Sequence, residues 1–162
     1  MNEPRSNASA GIVRSLIFVC GGYNGKRTLK SVECLNTKDR QPEWRKIECD
    51  MPGPRSGASL LIDGDYLILI GGYDGFNYHS TIWKYNTSKT KLWKCLTGFD
   101  MQIDRSDGYA AITNDSIFFV GGITTGNVIA HDFEVLTKDR HAFGPPLPLN
   151  LAASSVLVAK GH

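Results

Sequence analysis

Ser59-Leu60-Leu61-Ile62-Asp63-Gly64-Asp65-Tyr66-Leu67-Ile68-Leu69-Ile70-Gly71-Gly72-Tyr73-Asp74-Gly75 is the stretch whose reading decides the fold. Two apolar runs flank Asp63-Gly64-Asp65, and Asp-Gly between β-prone runs is a strong hairpin signal. The second run, Tyr66 to Ile70, is almost wholly apolar without alternation, which predicts a strand covered on both faces. It closes on a double glycine, where a residue without Cβ takes positive φ and lets the chain pass close to its neighbours.

The doublet recurs. Gly21-Gly22, Gly71-Gly72 and Gly121-Gly122 start 50 residues apart, each closing an apolar run, and a fixed interval of that size points to structural repeats. The flanks repeat in register. Ahead of the doublets stand Arg5-Ser6-Asn7-Ala8, Arg55-Ser56-Gly57-Ala58 and Arg105-Ser106-Asp107-Gly108. Behind them come Ser31-Val32-Glu33-Cys34-Leu35-Asn36, Thr81-Ile82-Trp83-Lys84-Tyr85-Asn86 and Asp132-Phe133-Glu134-Val135-Leu136-Thr137, and then an aromatic at Trp44, Trp93 and Phe143. The hairpin reading extends to the other copies: Ala8 to Val13 with Leu16 to Cys20 around Arg14-Ser15, and Tyr109 to Thr113 with Ser116 to Val120 around Asn114-Asp115.

This combination resembles the kelch repeat: apolar run, double glycine, a Tyr-Asp-Gly-like turn at Tyr23-Asn24-Gly25 and Tyr73-Asp74-Gly75, and a later aromatic and Trp. The resemblance implies an all-β chain in which each repeat is one four-stranded blade of a β-propeller. It divides the chain into repeats at about 5–54, 55–104 and 105–150, with a partial fourth at 151–162 whose Leu151 to Val158 matches a first strand. In the third repeat Phe143 stands where Trp is expected, and Pro145-Pro146 would remove two donors from a last strand, which is tolerated at an outer edge or a strand end. Tyr85, Trp44 and Trp93 are expected to pack between blades. A closed propeller takes roughly four to eight blades. Three blades and one strand therefore leave three expectations open: a truncated product, an open array sealed by another chain, or half of a six-bladed homodimer. The added strand argues against the dimer unless it swaps into the partner.

With 162 residues, 41% of them apolar, and a net charge of +2, the composition is that of an ordinary globular unit, with no reason to expect nucleic acid or a charged membrane as partner. The apolar runs are strand-length, far short of the roughly 20 residues that span a bilayer. Met1 to Ala10 is polar and lacks a secretory core, so a cytoplasmic location is expected. Cys20, Cys34, Cys49 and Cys95 have no metal-site or disulfide-framework spacing and read as reduced packing thiols. His79, His131, His141 and His162 lack ligand spacing, and there is no phosphate loop; no catalytic residue, metal or cofactor is expected.

What remains for function is the loops. In propellers of this family the loop before the innermost strand and the loop after the double glycine lie near the channel mouth, and in the substrate adaptors of cullin-based ubiquitin ligases they bind peptide motifs. The resemblance carries over to Arg5, Ser6, Arg55, Ser56, Arg105 and Ser106 in the first loop, and to Tyr23, Asn24, Tyr73, Asp74, Phe76 and Asn77 in the second. A ring of guanidinium forks would suit an acidic or phosphorylated peptide; the same arginines could instead satisfy carbonyls between blades. The expected role is a non-enzymatic protein-interaction module of the adaptor kind. A cullin would be recruited through BTB and BACK domains that these 162 residues do not resemble. The alternatives are a cytoskeletal, actin-binding kelch protein, or a fragment without function of its own.

Overall fold

Where two apolar runs flank a short polar turn, antiparallel pairing satisfies their backbone donors and acceptors most directly. The computed structural model describes residues 1–113, 116–137 and 140–148, and this pairing occurs in it three times. In the first sheet β1 (Ser9–Val13), β2 (Leu16–Cys20), β3 (Val32–Asn36) and β4 (Arg45–Lys46) pair in chain order. The second sheet runs β5 (Ser59–Asp63), β6 (Tyr66–Ile70), β7 (Ile82–Asn86) and β8 (Trp93–Cys95). After β9 (Arg105–Ser106), the third is built from β10 (Tyr109–Thr113), β11 (Ser116–Val120), β14 (Phe133–Leu136) and β15 (His141–Phe143). Between them β12 (Ile123–Thr124) and β13 (Val128–Ile129) make a short hairpin that pairs with β9.

These three antiparallel meanders, here blades 1 to 3, stack face to face as in a propeller. Register fixes which side chains meet. In blade 2, Leu67 opposes Tyr85 and Tyr85 opposes Trp93, so all three share one face. That face packs on Val13, Phe18, Cys20, Val32 and Met51 of blade 1. The opposite face of blade 2, with Leu61, Ile68, Ile70 and Ile82, packs on Ile117, Phe119 and Leu136 of blade 3. An unalternated strand such as Leu67–Ile70 is thus explained by a neighbour on each side. Cys20 is packed away in this core, where burial pushes its thiol up to about 12.

The innermost strands β1, β5 and β10 lie side by side around a cavity of about 290 Å³ lined by residues 7–10, 57–60 and 107–110. Small side chains allow this approach, and two of them bond across it. Ser9 Oγ donates to the Ala58 carbonyl, and Ser59 Oγ donates to the Gly108 carbonyl at 2.8 Å. Asn7, Gly57 and Asp107, one per repeat, all sit at positive φ (49°, 62° and 54°), a conformation that favours Gly, Asn and Asp.

Three expectations are revised. Trp44 is half-buried like Trp93, but only Trp93 packs against an inter-blade cluster. Pro145-Pro146 follow β15 and do not lie within it. The loop after the third double glycine begins with β12, where blades 1 and 2 have only isolated bridges, Tyr23 to Ser6 and Thr28 and Tyr73 to Ser56 and Tyr78. The Asn114-Asp115 turn and the partial fourth repeat lie outside the described residues. Among the described residues no helix is long and apolar enough to cross a membrane.

The doublets do two jobs. Gly21 and Gly71 each donate within the blade, to the carbonyls of Ser31 and Thr81 at 3.1 Å. Gly22 and Gly72 donate to the next blade, to the carbonyls of Arg55 (2.8 Å) and Arg105 (2.9 Å). Gly72 has φ +98°, and a Cβ there would lie 2.9 Å from Ala58 Cβ. Gly64 has φ +58° but open space around it. Gly72→Val is therefore expected to cost more than about 3 kcal/mol, strain and overlap together, and Gly64→Ala only about 1 kcal/mol. Urea unfolding of the two variants checks this; equal losses would rule out close approach as the cause.

Candidate functional site

The repeated arginines come first, because their surroundings differ. Arg105 is fully buried; its Nη1 donates to the Gly121 carbonyl (3.0 Å) and Asp132 Oδ1 (2.7 Å), and its Nη2 to Glu134 Oε1 (2.6 Å). Glu134 also accepts from the Gln102 amide and stands 2.6 Å from His141 Nε2. Arg5 makes the same clamp in blade 1: its buried guanidinium reaches the Gly21 carbonyl (2.8 Å), Ser31 Oγ (2.8 Å) and Glu33 Oε1 (2.9 Å). Both forks are spent on their own blade. A buried guanidinium demands such partners, since unpaired it costs several kcal/mol.

Blade 2 has no such acid. Trp83 occupies the place of Glu33 and Glu134, and its indole Nε1 donates to Thr81 Oγ1 at 3.3 Å. Arg55, 8% exposed, turns elsewhere: Nη1 donates to the Pro54 carbonyl at 2.7 Å and Nε has no partner among the described residues. Burial lowers its pKa and Asp74 offsets part of that. The offsets from arginine to acid, 28 residues in repeat one and 29 in repeat three, were readable in the sequence; only the pairing gives them meaning.

The serines serve the loop connections. Ser6 and Ser56 bridge Tyr23 and Tyr73 through backbone pairs, and the Ser6 hydroxyl donates to the Tyr23 carbonyl at 3.2 Å. Ser106 is buried and donates to Asp107 Oδ2 at 2.6 Å. Asn24 and Asp74 close equivalent turns: Asn24 Oδ1 accepts from the Lys26 and Arg27 amides, and Asp74 Oδ1 from the Phe76 and Asn77 amides at 2.7 Å each.

The loop of blade 2 stands beside the β12–β13 hairpin of blade 3 and encloses a cleft of about 520 Å³. Tyr73, Phe76, Asn77, Tyr78, His79, Asp104 and Asn127 line it. The rings of Tyr73 and Tyr78 lie 4.9 Å apart at 41°, and Tyr78 Oη donates across the blade boundary to Asn127 Oδ1 at 2.9 Å. Phe76 stands 90% exposed at this cleft, whereas Tyr23, 42% exposed, is outside it. Tyr78, His79, Asp104 and Asn127 are cleft residues that the motif did not mark. His79, which has no metal-ligand spacing, holds Asp74 Oδ2 at 2.8 Å. Burial alone would raise the Asp74 carboxyl, but the Asn77 and Phe76 amides and the His79 ring outweigh it and bring it to about 2.

Two outcomes follow. Glu134→Ala strands Arg105 and is expected to cost about 3–5 kcal/mol, while Arg55→Met, which removes a guanidinium with no clamp, costs about 1 kcal/mol or less; urea titration separates them. Asp74 has a folded pKa below its ordinary value, so its contribution to stability is complete above about pH 4 and falls away as the pH drops through about 2. In Asp74→Asn this part of the acid limb should be missing from unfolding curves taken between pH 5 and pH 2.

Comparison with known proteins agrees with the geometry. The family model described as the KLHDC2/KLHL20/DRC7 Kelch-repeats domain matches residues 1–143. No curated protein matches the chain. Among solved structures, one described as "Structure of YjhT" superposes with a TM-score of 0.75 at 14% identity, covering 90% of this chain and 52% of that one. The chain thus spans about half the length of the propeller it matches, and the likeness at this identity concerns the fold. With repeats, blades and family model in agreement, the chain belongs to the kelch-repeat family.

Proposed function

We propose that the chain is a non-enzymatic protein-interaction module that holds a peptide segment against the rim of blades 2 and 3, as the substrate-recognition part of a ubiquitin-ligase adaptor. The observation that carries this reading is Phe76: 90% exposed, required by no core, and set at a cleft already walled by Tyr73 and Tyr78. Aromatic groups of this kind dominate binding energy when a partner desolvates them. The inter-blade bond from Tyr78 to Asn127 fixes the cleft walls before a ligand arrives, which lowers the ordering cost of binding. The adaptor role rests on the kelch resemblance, with a cullin recruited by domains outside these residues.

Selection from a displayed peptide library tests the surface. Peptides that bind the chain are expected to bind Phe76→Ala about tenfold more weakly, equivalent to about 1.4 kcal/mol, while its unfolding midpoint is unchanged. Undiminished binding would remove the cleft from consideration. In cells, co-precipitation with a cullin supports the adaptor role; co-sedimentation with actin filaments and no cullin supports the cytoskeletal one.

A further inference from the structure

We propose that the cleft between blades 2 and 3 receives a cationic side chain, arginine or lysine, from the bound segment. The inference rests on reading this rim as a peptide surface and specifies what the surface selects. It follows from accounting for every charge near the cleft. Among the described residues no lysine or arginine lines it. Arg105, the nearest in sequence, is fully buried and matched by Asp132 and Glu134 on its own blade. Arg55 is buried as well, with the Asp74 carboxylate close enough to act on it. The His79 ring is held by the same carboxylate at 2.8 Å.

Against these stands Asp104, exposed in the cleft wall, which makes no ion pair or hydrogen bond among the described residues. Burial and Tyr73 raise the Tyr78 hydroxyl, and Asp107, at the adjoining channel mouth, adds to the rise. The uncompensated charge is therefore negative. Tyr73, Phe76 and Tyr78 also line the cleft, and aromatic rings are groups to which a guanidinium or ammonium is attracted. A cleft of about 440 Å³ at blade 1 shows the contrast, since Arg5, Arg27, Lys30 and Lys46 line it beside Glu3, Glu33 and Asp50. The acidic peptide that a ring of free guanidinium forks would select has no such fork to meet at blades 2 and 3.

The test uses the whole chain, isotopically labelled, and three capped tripeptides that differ at the centre: acetyl-Gly-Arg-Gly-amide and its Glu and Gln counterparts. The Arg peptide is expected to shift the amide resonances of Phe76, Asn77, Asp104 and Asn127 saturably. Its affinity should fall about two- to five-fold in Asp104→Asn, the size of an exposed ion pair, and should weaken with salt. Phe76→Ala should weaken it too. Saturation by the Glu peptide in place of Arg, or equal affinity for Arg and Gln, overturns the inference. So does an Arg affinity unchanged in both variants. The two levels separate cleanly: library peptides that depend on Phe76 but carry no lysine or arginine keep the peptide surface and overturn the cationic subsite, whereas the absence of any Phe76-dependent peptide overturns both.

Discussion

The structure depends on one backbone contact made twice: the amide of the second glycine in a doublet donating to the carbonyl of the arginine that opens the next repeat. Gly22 to Arg55 and Gly72 to Arg105 join blade to blade through main chain, at 2.8 and 2.9 Å. A donor must approach a carbonyl on another sheet while its own chain turns at φ of +92° or +98°. Only glycine meets both demands without strain. Around this joint Met51 and Met101, 50 residues apart, place their methyl groups 3.0 Å from where a Cβ on Gly21 or Gly71 would stand. The flexible thioether fills the space the missing side chain leaves.

At the joint the carbonyls of Arg55 and Arg105 are tied to the preceding blade, and their side chains, like that of Arg5, are dehydrated. Blades 1 and 3 answer with Glu33 and Glu134, making the guanidinium a strut between doublet carbonyl and third strand. Blade 2 substitutes Trp83, and Arg55 bends to Pro54 and toward the field of Asp74. A residue type repeated at one register thus has two physical settings. The electrostatics of the rim are governed by this pairing, which a count of basic residues misses.

Much of the fold could be read from residues alone, because its signals are local and repeated. The period of the doublets, the Asp63-Gly64 turn and the unalternated Leu67–Ile70 run each dictate backbone geometry within a few residues, and the strands fall where those signals put them. The site was less legible. Tyr73, Phe76 and Asn77 gather at one cleft and Asp74 closes their loop, but Arg5, Arg105 and Ser106 have buried side chains, and Tyr23 and Asn24 belong to a different blade's loop. Burial of a charge depends on a partner some 28 residues away, and the cleft on residues from two blades, as with Tyr78 and Asn127. Neither is a local property. Trp44 was misplaced for a related reason: the repeat supplied the residue, while the inter-blade clusters include only its counterpart Trp93.

The proposed binding surface lies where connectors of two blades meet, and blades 2 and 3 offer aromatic rings there on a scaffold held by inter-blade bonds. All of this stands on the blades being joined through the glycine doublets. Native-state hydrogen exchange reports on that joint directly, because the amides of Gly22 and Gly72 are its donors. The account predicts that both exchange far more slowly than the turn amides of Gly25 and Gly75, and at closely similar free energies of opening. Exchange of Gly22 and Gly72 at the rate of those exposed turns would contradict it.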